Sequence, residues 1–593
     1  MEKGKLKVKA PTWNLDDLYQ GLKDPAIRRD LSALAKDIQS FVKKYEGEVA
    51  DLSAAALAAS IKEYEDLSER IGRVACFSVL FFAQDMTDKE ATSFYQNIQE
   101  ETTELSTHLI FYSLELNQIP TDTLKKQFEQ CPALSHYKPW IEQVRIFKDH
   151  QLTKDLETVF HELSVPACNN WLRLYDETFS KMRFPLDGKD LSFVEITNFF
   201  TSPDESLRQK AAEAFGATLK EAAPVCALIL NTVSKEKQIE DRWRHYDKPV
   251  SSRNLGNHVE DEVVSALIQS VQKKYPDLSH RYFKLKAKWL GKDKLNYWDR
   301  SAPLPKDTQK KYSWDEAQEI VLDAYHKFSP EMASIGRQFF DKNWIDAAVR
   351  PGKDSGAFSH PAVPSLHPYI LQNYQGKIWD VMTLAHELGH GIHQVLASRQ
   401  GYLMADTPLT LAETASIFGE MLTFQSLLDQ TPNKEEKKIL LAGKTSDALN
   451  TLVRQISFSQ FEHEFHDRRR EKELTLEEIN ALWMKTQQDS LGPSVILKDN
   501  YAYYWAYISH LFHVPFYVYA YAFGNCLVNS LYMTYENKFP DFQKKYIQML
   551  QAGGTLHHTK LLEPFGLDAS KANFWDQGLN LVSRWIDELE DLS

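Results

Sequence analysis

The stretch "TLAHELGHGIHQ", residues 383–394, decides how the rest of the sequence is interpreted. It places three histidines and one glutamate within eight positions of a 593-residue chain that contains nineteen histidines. On a helical wheel of about 100° per residue, the apolar side chains of residues 381–396 gather on one face. These side chains are Val381, Leu384, Ala385, Leu388, Ile392, Val395 and Leu396. The sequence therefore predicts an amphipathic helix with one buried side.

The polar face of this helix carries the three histidines. His386, His390 and His393 fall opposite the apolar stripe, and Glu387 lies on the flank between them. Histidines on such a face are often simply solvated. His386 and His390, however, are one turn apart, about 5–6 Å between Cβ atoms, so both rings can reach one ion at ~2.0–2.1 Å. This HExxH spacing is typical of zinc peptidases and favours a metal site.

The third ligand has two candidates. Glu413 lies 27 residues after His386, on a second helix that Thr407 or Thr410 could cap. His393 lies on the first helix but about 10.5 Å along the axis from His386, which is far for three imidazoles that must converge on one ion. Two histidines and a glutamate leave a fourth position open for water, as hydrolytic zinc sites require. We therefore expect Glu413 to be the third ligand.

Glu420 lies seven residues after Glu413 and shares its helix face. Metal-bound histidines nearly always donate their second ring N–H to an oxygen, which fixes the tautomer. Glu420 is predicted to accept that hydrogen bond; the alternative is an ordinary solvated carboxylate.

Composition excludes some classes of protein. The 69 lysines and arginines against 82 aspartates and glutamates give a net charge of −13, the wrong sign for binding nucleic acid. The five cysteines lie at least 37 residues apart and form no Cys-x-x-Cys pair. They predict reduced, buried thiols in a cytoplasmic protein.

No export or membrane segment is predicted. The N-terminus "MEKGKLKVKAPTWNLDDLYQG" lacks the apolar core of a secretory signal. The most apolar tract, residues 513–535, is interrupted by Tyr, Asn and Ser, and it lacks the ~20 uniformly apolar residues of a membrane span. We expect no membrane partner.

The chain is predicted to change character near residue 200. Residues 1 to about 200 show the periodicity of long amphipathic helices, and turn clusters at 184–192 and 201–206 separate them from a second helical region. Residues 350–380 are broken by Gly, Pro and Ser, and "HPYILQNY" (367–374) has the composition of a strand. An edge strand there would align a peptide by strand addition, with a plain structural strand as the alternative.

Six blocks of sequence carry a family resemblance. They are "WNLDDLY" (13–19), "SGAF" (355–358), "HPYILQNY" (367–374), "TLAHELGHGIHQ" (383–394), "LAETASIFGE" (411–420) and "HVPFYVYAYAFG" (513–524). In this order and spacing, the sequence resembles the oligoendopeptidase F branch of the thimet oligopeptidase-like zinc metallopeptidases. The blocks span nearly the whole chain.

The resemblance implies a mainly α fold: two helical lobes around a deep substrate channel, with a small β element beside the HExxH helix. It implies that residues 1–200 form an N-terminal lobe covering the channel and that residues 201–593 form the catalytic domain with one Zn²⁺ per chain. By resemblance, the zinc ligands are His386, His390 and Glu413, the general base is Glu387, and the transition-state donors are His510 and Tyr519, with Tyr517 as a possible helper. The spacing around these donors departs from that of thimet oligopeptidase. The choices between the tyrosines, and between His510 and His513, therefore stay open.

The predicted function is that of a soluble, cytoplasmic, zinc-dependent oligoendopeptidase that hydrolyses internal bonds of short peptides. An exopeptidase or dipeptidyl activity on the same scaffold is one alternative. A metal- or peptide-binding protein without catalysis is another, although such a protein has no use for Glu387 beside the first ligand. The sequence leaves the oligomeric state open.

Overall fold

A computed structural model describes residues 10–304 and 310–593 of the chain. The fold is 72% helical with only small sheets, which confirms the mainly α class. The first nine residues, "MEKGKLKVK", lie outside the described residues, so the predicted lack of a signal segment stays a prediction there. Among the described helices, none has both the length and the apolar character needed to cross a bilayer.

The described chain is built mainly from helices, and the longest connection between two of them covers residues 342–377. The first ten are α1 (Pro25–Tyr45), α2 (Ala54–Gln84), α3 (Lys89–Thr107), α4 (Ile110–Gln118), α5 (Thr121–Gln130), α6 (Pro132–His136), α7 (Lys138–Arg145), α8 (Lys154–Ser164), α9 (Asn170–Lys181) and α10 (Phe193–Asn198). Nine follow: α11 (Glu205–Trp243), α12 (Ser251–Gly256), α13 (Asp261–Lys274), α14 (Arg281–Trp289), α15 (Trp314–Phe328), α16 (Pro330–Asp341), α17 (Ile378–Ala397), α18 (Leu409–Ala412) and α19 (Thr414–Gln430). The last eight are α20 (Lys434–Leu449), α21 (Gln455–Glu471), α22 (Leu476–Leu491), α23 (His510–His513), α24 (Tyr519–Glu536), α25 (Phe542–Gln551), α26 (His558–Leu562) and α27 (Ala572–Asp591).

The strands of the described chain are short and form three small sheets. They are β1 (Phe184–Leu186), β2 (Lys189–Leu191), β3 (Leu295–Asn296), β4 (Ile345–Asp346), β5 (Phe358–His360), β6 (Tyr369–Leu371) and β7 (Val495–Ile496). An antiparallel hairpin joins β1 and β2, and β3 pairs with β7 in parallel. The third sheet has the order β4-β6-β5, with β4 parallel and β5 antiparallel to β6.

The strand predicted in "HPYILQNY" exists as β6, but it does not lie at an edge. Because β4 and β5 flank it, its backbone groups are used on both sides, and the prediction that it accepts a peptide by strand addition is wrong. The edge position on one side belongs to β5, which comes from the "SGAF" block and the residues after it.

Contacts divide the chain into two compact units, each built from three separate stretches. The first comprises Met1–Lys148, Gln309–Gln430 and Thr534–Gly566, and the second comprises Asp149–Thr308, Thr431–Met533 and Leu567–Ser593. Each unit has a core of its own, one including Leu34, Phe41 and Tyr112, the other including Phe215 and Trp483. The division predicted near residue 200 and the two-lobed channel stay predictions.

The predicted amphipathic helix is α17, in the first unit, and it extends slightly beyond residues 381–396. Its start is fixed by Asp380, whose carboxylate accepts hydrogen bonds from the backbone N–H of Gln375 at 2.8 Å and of Lys377 at 2.9 Å. Six of the seven predicted apolar residues are fully buried; only Val395 is half-buried. Burial of this face holds the helix in place, and the opposite face carries the side chains of the candidate site.

The five cysteines are all free thiols, as predicted. Cys76, Cys226 and Cys526 are buried, but Cys131 and Cys168 are only half-buried, so the prediction of uniform burial is wrong for these two. Cys131 follows α5 and Cys168 lies between α8 and α9, where short helices meet and cover a side chain less completely.

Candidate metal site

The candidate site lies where α17 meets the junction of α18 and α19. Glu413 is the single residue between these two helices, since α18 ends at Ala412 and α19 begins at Thr414. The prediction that Glu413 belongs to a helix capped by a threonine is wrong. Pro408 precedes α18 and makes no side-chain cap, and Thr410 lies inside α18. Glu413 caps the C-terminal end of α18, and its carbonyl oxygen accepts a hydrogen bond from the N–H of Ile417 in the first turn of α19.

A glycine lets α17 and α19 approach closely. A Cβ added at Gly389 would lie 2.5 Å from the carbonyl oxygen of Ala415 and 2.7 Å from the Cα of Ser416. Tyr325 of α15 braces the same pair of helices. Its hydroxyl donates to the Ala385 carbonyl at 2.9 Å and sits against Gly419, which has no side chain to exclude it. Backbone contact of this kind sets the distance between the residues that the two helices present.

Three predicted ligands converge at this contact. Nε2 of His386 lies 3.3 Å and Nε2 of His390 lies 3.5 Å from the same carboxylate oxygen of Glu413, and the three ligand atoms all lie within 4.8 Å of one another. Two imidazoles and a carboxylate at this spacing fit a zinc ion with ligand distances of ~2.0–2.1 Å. His393 does not join them: it is buried, and burial lowers its pKa to about 4.

The ligand side chains are held by a further set of hydrogen bonds. An oxygen of Glu420 lies 3.3 Å from Nδ1 of His386, which confirms the contact predicted for this residue. The carbonyl of Ala412 accepts from the His390 ring, and the Ser416 hydroxyl donates to Glu413 at 2.6 Å. Each imidazole thus presents Nε2 to the site, because Nδ1 is engaged elsewhere.

The charges at the site suit a cation. Burial disfavours protonation of His386, but its hydrogen bonds to Glu413 and Glu420 outweigh burial and raise the pKa of this histidine. Burial disfavours the Glu413 carboxylate, yet the hydrogen bond and charge of His386 lower its pKa. A divalent cation held by the same ligand atoms would offset the charge of both carboxylates. Burial lowers the pKa of His390 to about 4, so its lone pair is available at neutral pH.

Glu387 lies next to His386 in the sequence but does not belong to the ligand cluster. It is only 7% exposed and belongs to the same turn of α17 as His386. Burial raises its pKa to about 7, while the charge of His386 and the backbone amide of Ser359 act in the opposite direction. A carboxyl group with a pKa near neutrality can both accept and return a proton at physiological pH.

The edge strand β5 runs beside α17 and is tied to it by Gln394. Nε2 of Gln394 donates to the Ser359 carbonyl at 3.1 Å, and the Ser359 hydroxyl donates to Oε1 of Gln394 at 2.9 Å. The register of β5 on β6 pairs Ser359 with Ile370, whose N–H bonds to Trp344 instead. The backbone groups of Ser359 therefore point away from the sheet, towards α17.

The predicted donors lie in the second unit, around the start of α24. His510 stacks on Tyr517 with ring centroids 5.7 Å apart, and its Nε2 lies 3.3 Å from the Tyr521 hydroxyl. Tyr517 and Tyr521 are also in contact, with centroids 5.3 Å apart. The alternative histidine, His513, is instead paired with Asp176 at 2.9 Å.

Tyr519 is packed differently from its neighbours. It is fully buried, and its hydroxyl accepts a hydrogen bond from the Asn257 side chain at 2.8 Å. Burial raises its pKa. As a transition-state donor, Tyr519 stays a prediction that this packing does not favour. Tyr521 is not among the donors predicted from the sequence, but it contacts both His510 and Tyr517. It follows Tyr517 by four residues, and that spacing is the signal in the sequence that could have pointed to it.

Comparisons with known proteins agree along the whole chain. Residues 198–581 match the family model described as Peptidase family M3, and residues 115–184 match the one described as Oligopeptidase F. Oligopeptidase PepF of Bacillus subtilis is 26% identical over 600 residues, covering 99% of this chain and 88% of that protein. Group B oligopeptidase PepB of Streptococcus agalactiae is 28% identical over 567 residues, covering 93% and 92%.

A solved structure shows the same fold. The crystal structure of oligoendopeptidase-F from Enterococcus faecium matches with a TM-score of 0.70 at 20% identity, over 95% of this chain and 98% of that chain. At this identity the likeness speaks for the fold alone.

We predict that Glu413→Ala loses bound zinc, whereas His393→Ala keeps it near one ion per chain. The reason is that Glu413 contributes a ligand atom to the cluster and the buried His393 does not. The measurement is metal content after dialysis, with circular dichroism to show that both variants fold. Loss of zinc from His393→Ala together with its retention by Glu413→Ala would reverse the assignment.

Proposed function

Since the chain belongs to peptidase family M3, we propose that it is a zinc-dependent oligoendopeptidase that hydrolyses internal bonds of short peptides. The observation that carries this proposal is the convergence of His386, His390 and Glu413 within 4.8 Å, beside a buried Glu387. The names of the relatives, an oligopeptidase and an oligoendopeptidase, support the size class of the substrate. Family membership sets aside the alternative of a metal- or peptide-binding protein without catalysis.

One zinc ion per chain is proposed, held by His386, His390 and Glu413. When bound, zinc supplies Lewis-acid chemistry, making a water molecule more acidic and polarising a peptide carbonyl. Glu387 accepts the proton of the attacking water at its carboxylate and then donates it to the nitrogen of the leaving amine. Its raised pKa suits both steps, because one group must act first as a base and then as an acid.

The ligand set is kept rigid by its supporting residues. Glu420 fixes the ring of His386, and the Ala412 carbonyl fixes that of His390, so neither ring has to reorient when the metal binds. Ser416 holds the Glu413 carboxylate by its hydroxyl. Removing such a hydrogen-bond partner typically lowers metal affinity by ~10–100-fold.

The role of transition-state donor is proposed for His510, with Tyr517 and Tyr521. Two observations support this choice over Tyr519. The three rings form one cluster in which Tyr521 is 36% exposed, whereas the Tyr519 hydroxyl is buried against Asn257. Donors of this kind stabilise the negative charge that develops on the carbonyl oxygen when water attacks the carbonyl carbon. The cytoplasmic location and the domain boundary near residue 200 are proposed on the sequence arguments alone.

The proposal is tested with an internally quenched peptide blocked at both ends. We expect cleavage at an internal bond, loss of cleavage with a chelator, and recovery on adding zinc. Denatured casein, as a full-length unfolded protein, should remain uncut under the same conditions. An exopeptidase would leave the blocked peptide intact, and rapid fragmentation of casein would contradict the restriction to short peptides.

We predict that Glu387→Gln keeps its zinc and loses nearly all activity. The amide preserves the shape of the side chain but cannot accept the proton, and general-base catalysis contributes ~10²–10⁴-fold. Metal content and kcat are measured on the same preparation. Thr383→Ala, on the same helix but with its hydroxyl bonded only to the Trp379 carbonyl, is the matched control and should keep its activity. If Glu387→Gln retained more than about a tenth of kcat, the general base would have to be another residue.

We predict that Tyr521→Phe lowers kcat by ~10²-fold with little change in KM, as expected for a donor engaged only in the transition state. Tyr519→Phe is the comparison, because it removes a hydroxyl that bonds to Asn257. Tyr519→Phe should lower the unfolding temperature and change kcat only slightly. The opposite pattern, with kcat lost only in Tyr519→Phe, would restore Tyr519 as the donor.

A further inference from the structure

A small polar cavity lies inside the second unit, away from every residue assigned a catalytic role. Its volume is about 30 Å³, and among its lining residues are two arginines, Arg300 and Arg454, and five serines. None of the described residues that line it carries a carboxylate. A single water needs about 10–15 Å³, so the cavity holds two waters or one small ion but excludes a phosphate or a peptide.

The two arginines are half-buried and form no ion pair among the described residues. Within the described residues, no carboxylate lies within 4.0 Å of either guanidinium. Instead, Arg300 donates to the Tyr501 hydroxyl at 3.2 Å and Arg454 donates to the Tyr507 hydroxyl at 2.6 Å. A guanidinium has five N–H groups, so each arginine keeps several donors for another acceptor.

The surroundings add positive charge rather than cancel it. Burial, together with the charges of Arg208 and Arg300, lowers the pKa of nearby Lys286 to about 8. One nearby carboxylate, Asp299, is already shared by Arg208 at 2.8 Å and Lys292 at 2.7 Å. Neither Arg300 nor Arg454 therefore has a carboxylate to balance its charge at the cavity, and an anion there would be attracted by both guanidinium groups.

The backbone around the cavity is irregular in two places. Asn450, Val453 and Arg454 belong to a π-helical turn, Asn450–Arg454, between α20 and α21. Ser279 belongs to a second one, Pro276–His280, between α13 and α14. Wide turns of this kind widen the spacing between helices and occur frequently at functional sites. Residues of both π-helical turns line the same cavity, so the cavity is shaped by the backbone and not by loose side-chain packing.

We propose that this cavity binds a small monovalent anion of the size of chloride, held between Arg300 and Arg454. The anion supplies the negative charge that the two guanidinium groups lack, and the cavity volume sets its size. It binds without a covalent step and independently of zinc, so it is a structural ligand of the second unit. The site would make the stability of the protein depend on the identity of the salt as well as on ionic strength.

The experiment uses the full-length protein, in sodium chloride or sodium gluconate at equal ionic strength, because gluconate is too large for the cavity. Chloride is expected to give a saturable rise of roughly 2–4 °C in the unfolding midpoint. Arg454→Gln is expected to abolish the difference, whereas Arg173→Gln, which removes an exposed arginine paired with Glu177, should keep it. Crystals of the unsubstituted protein grown in bromide should show an anomalous peak between Arg300 and Arg454.

Equal midpoints in the two salts, together with no bromide peak in the cavity, would mean that water fills it and would overturn the proposal. A peak without a chloride-dependent midpoint would be binding at crystal concentration only, which also overturns it. If Arg454→Gln does not fold, the comparison of salts and the bromide crystal still decide, because both use the unsubstituted chain. None of these readouts involves activity, so they are independent of the proposed peptidase function.

Discussion

The close contact between α17 and α19 is the constraint on which the candidate site depends. Gly389 allows the backbone at Ala415 and Ser416 to approach where any side chain would collide. Because Glu413 immediately precedes α19, that approach also brings its carboxylate to the Nε2 atoms of His386 and His390. The metal geometry is thus set by a backbone contact rather than by the histidine motif alone.

Buried charge explains why the residues around the ligands are what they are. Glu413 and Glu420 would repel each other in a buried site, but His386 lies between them and its raised pKa reflects their combined pull. A cation at the ligand atoms relieves the same repulsion more completely than a single proton does. Glu387, with fewer polar neighbours, keeps a pKa near neutrality. The two carboxylates therefore differ because burial dominates at Glu387, whereas the hydrogen bond and charge of His386 dominate at Glu413.

Local periodicity was enough to predict α17 and its buried face, and motif spacing was enough to predict the partnership of Glu420 with His386. The sequence pattern could not place Glu413 in a break between two helices, since that break depends on packing rather than on a cap. The pattern also could not show that β6 is flanked on both sides, because β4 and β5 are distant from β6 in the sequence. The sequence could not show which tyrosines share a cluster with His510, because the contacts of His510 with Tyr517 and Tyr521 depend on how the chain turns before α24.

In each unit a group of ionisable side chains surrounds a small space, and the ion that would suit the space differs in sign between the two units. In the first, carboxylates and imidazoles gather around a space that suits a cation; in the second, Arg300 and Arg454 line a cavity that suits an anion. Both regions also rely on irregular backbone, a helix break at Glu413 and π-helical turns at Ser279 and Arg454. Departures from regular helix therefore coincide in this largely helical chain with the candidate cation site and with the cavity proposed to hold an anion.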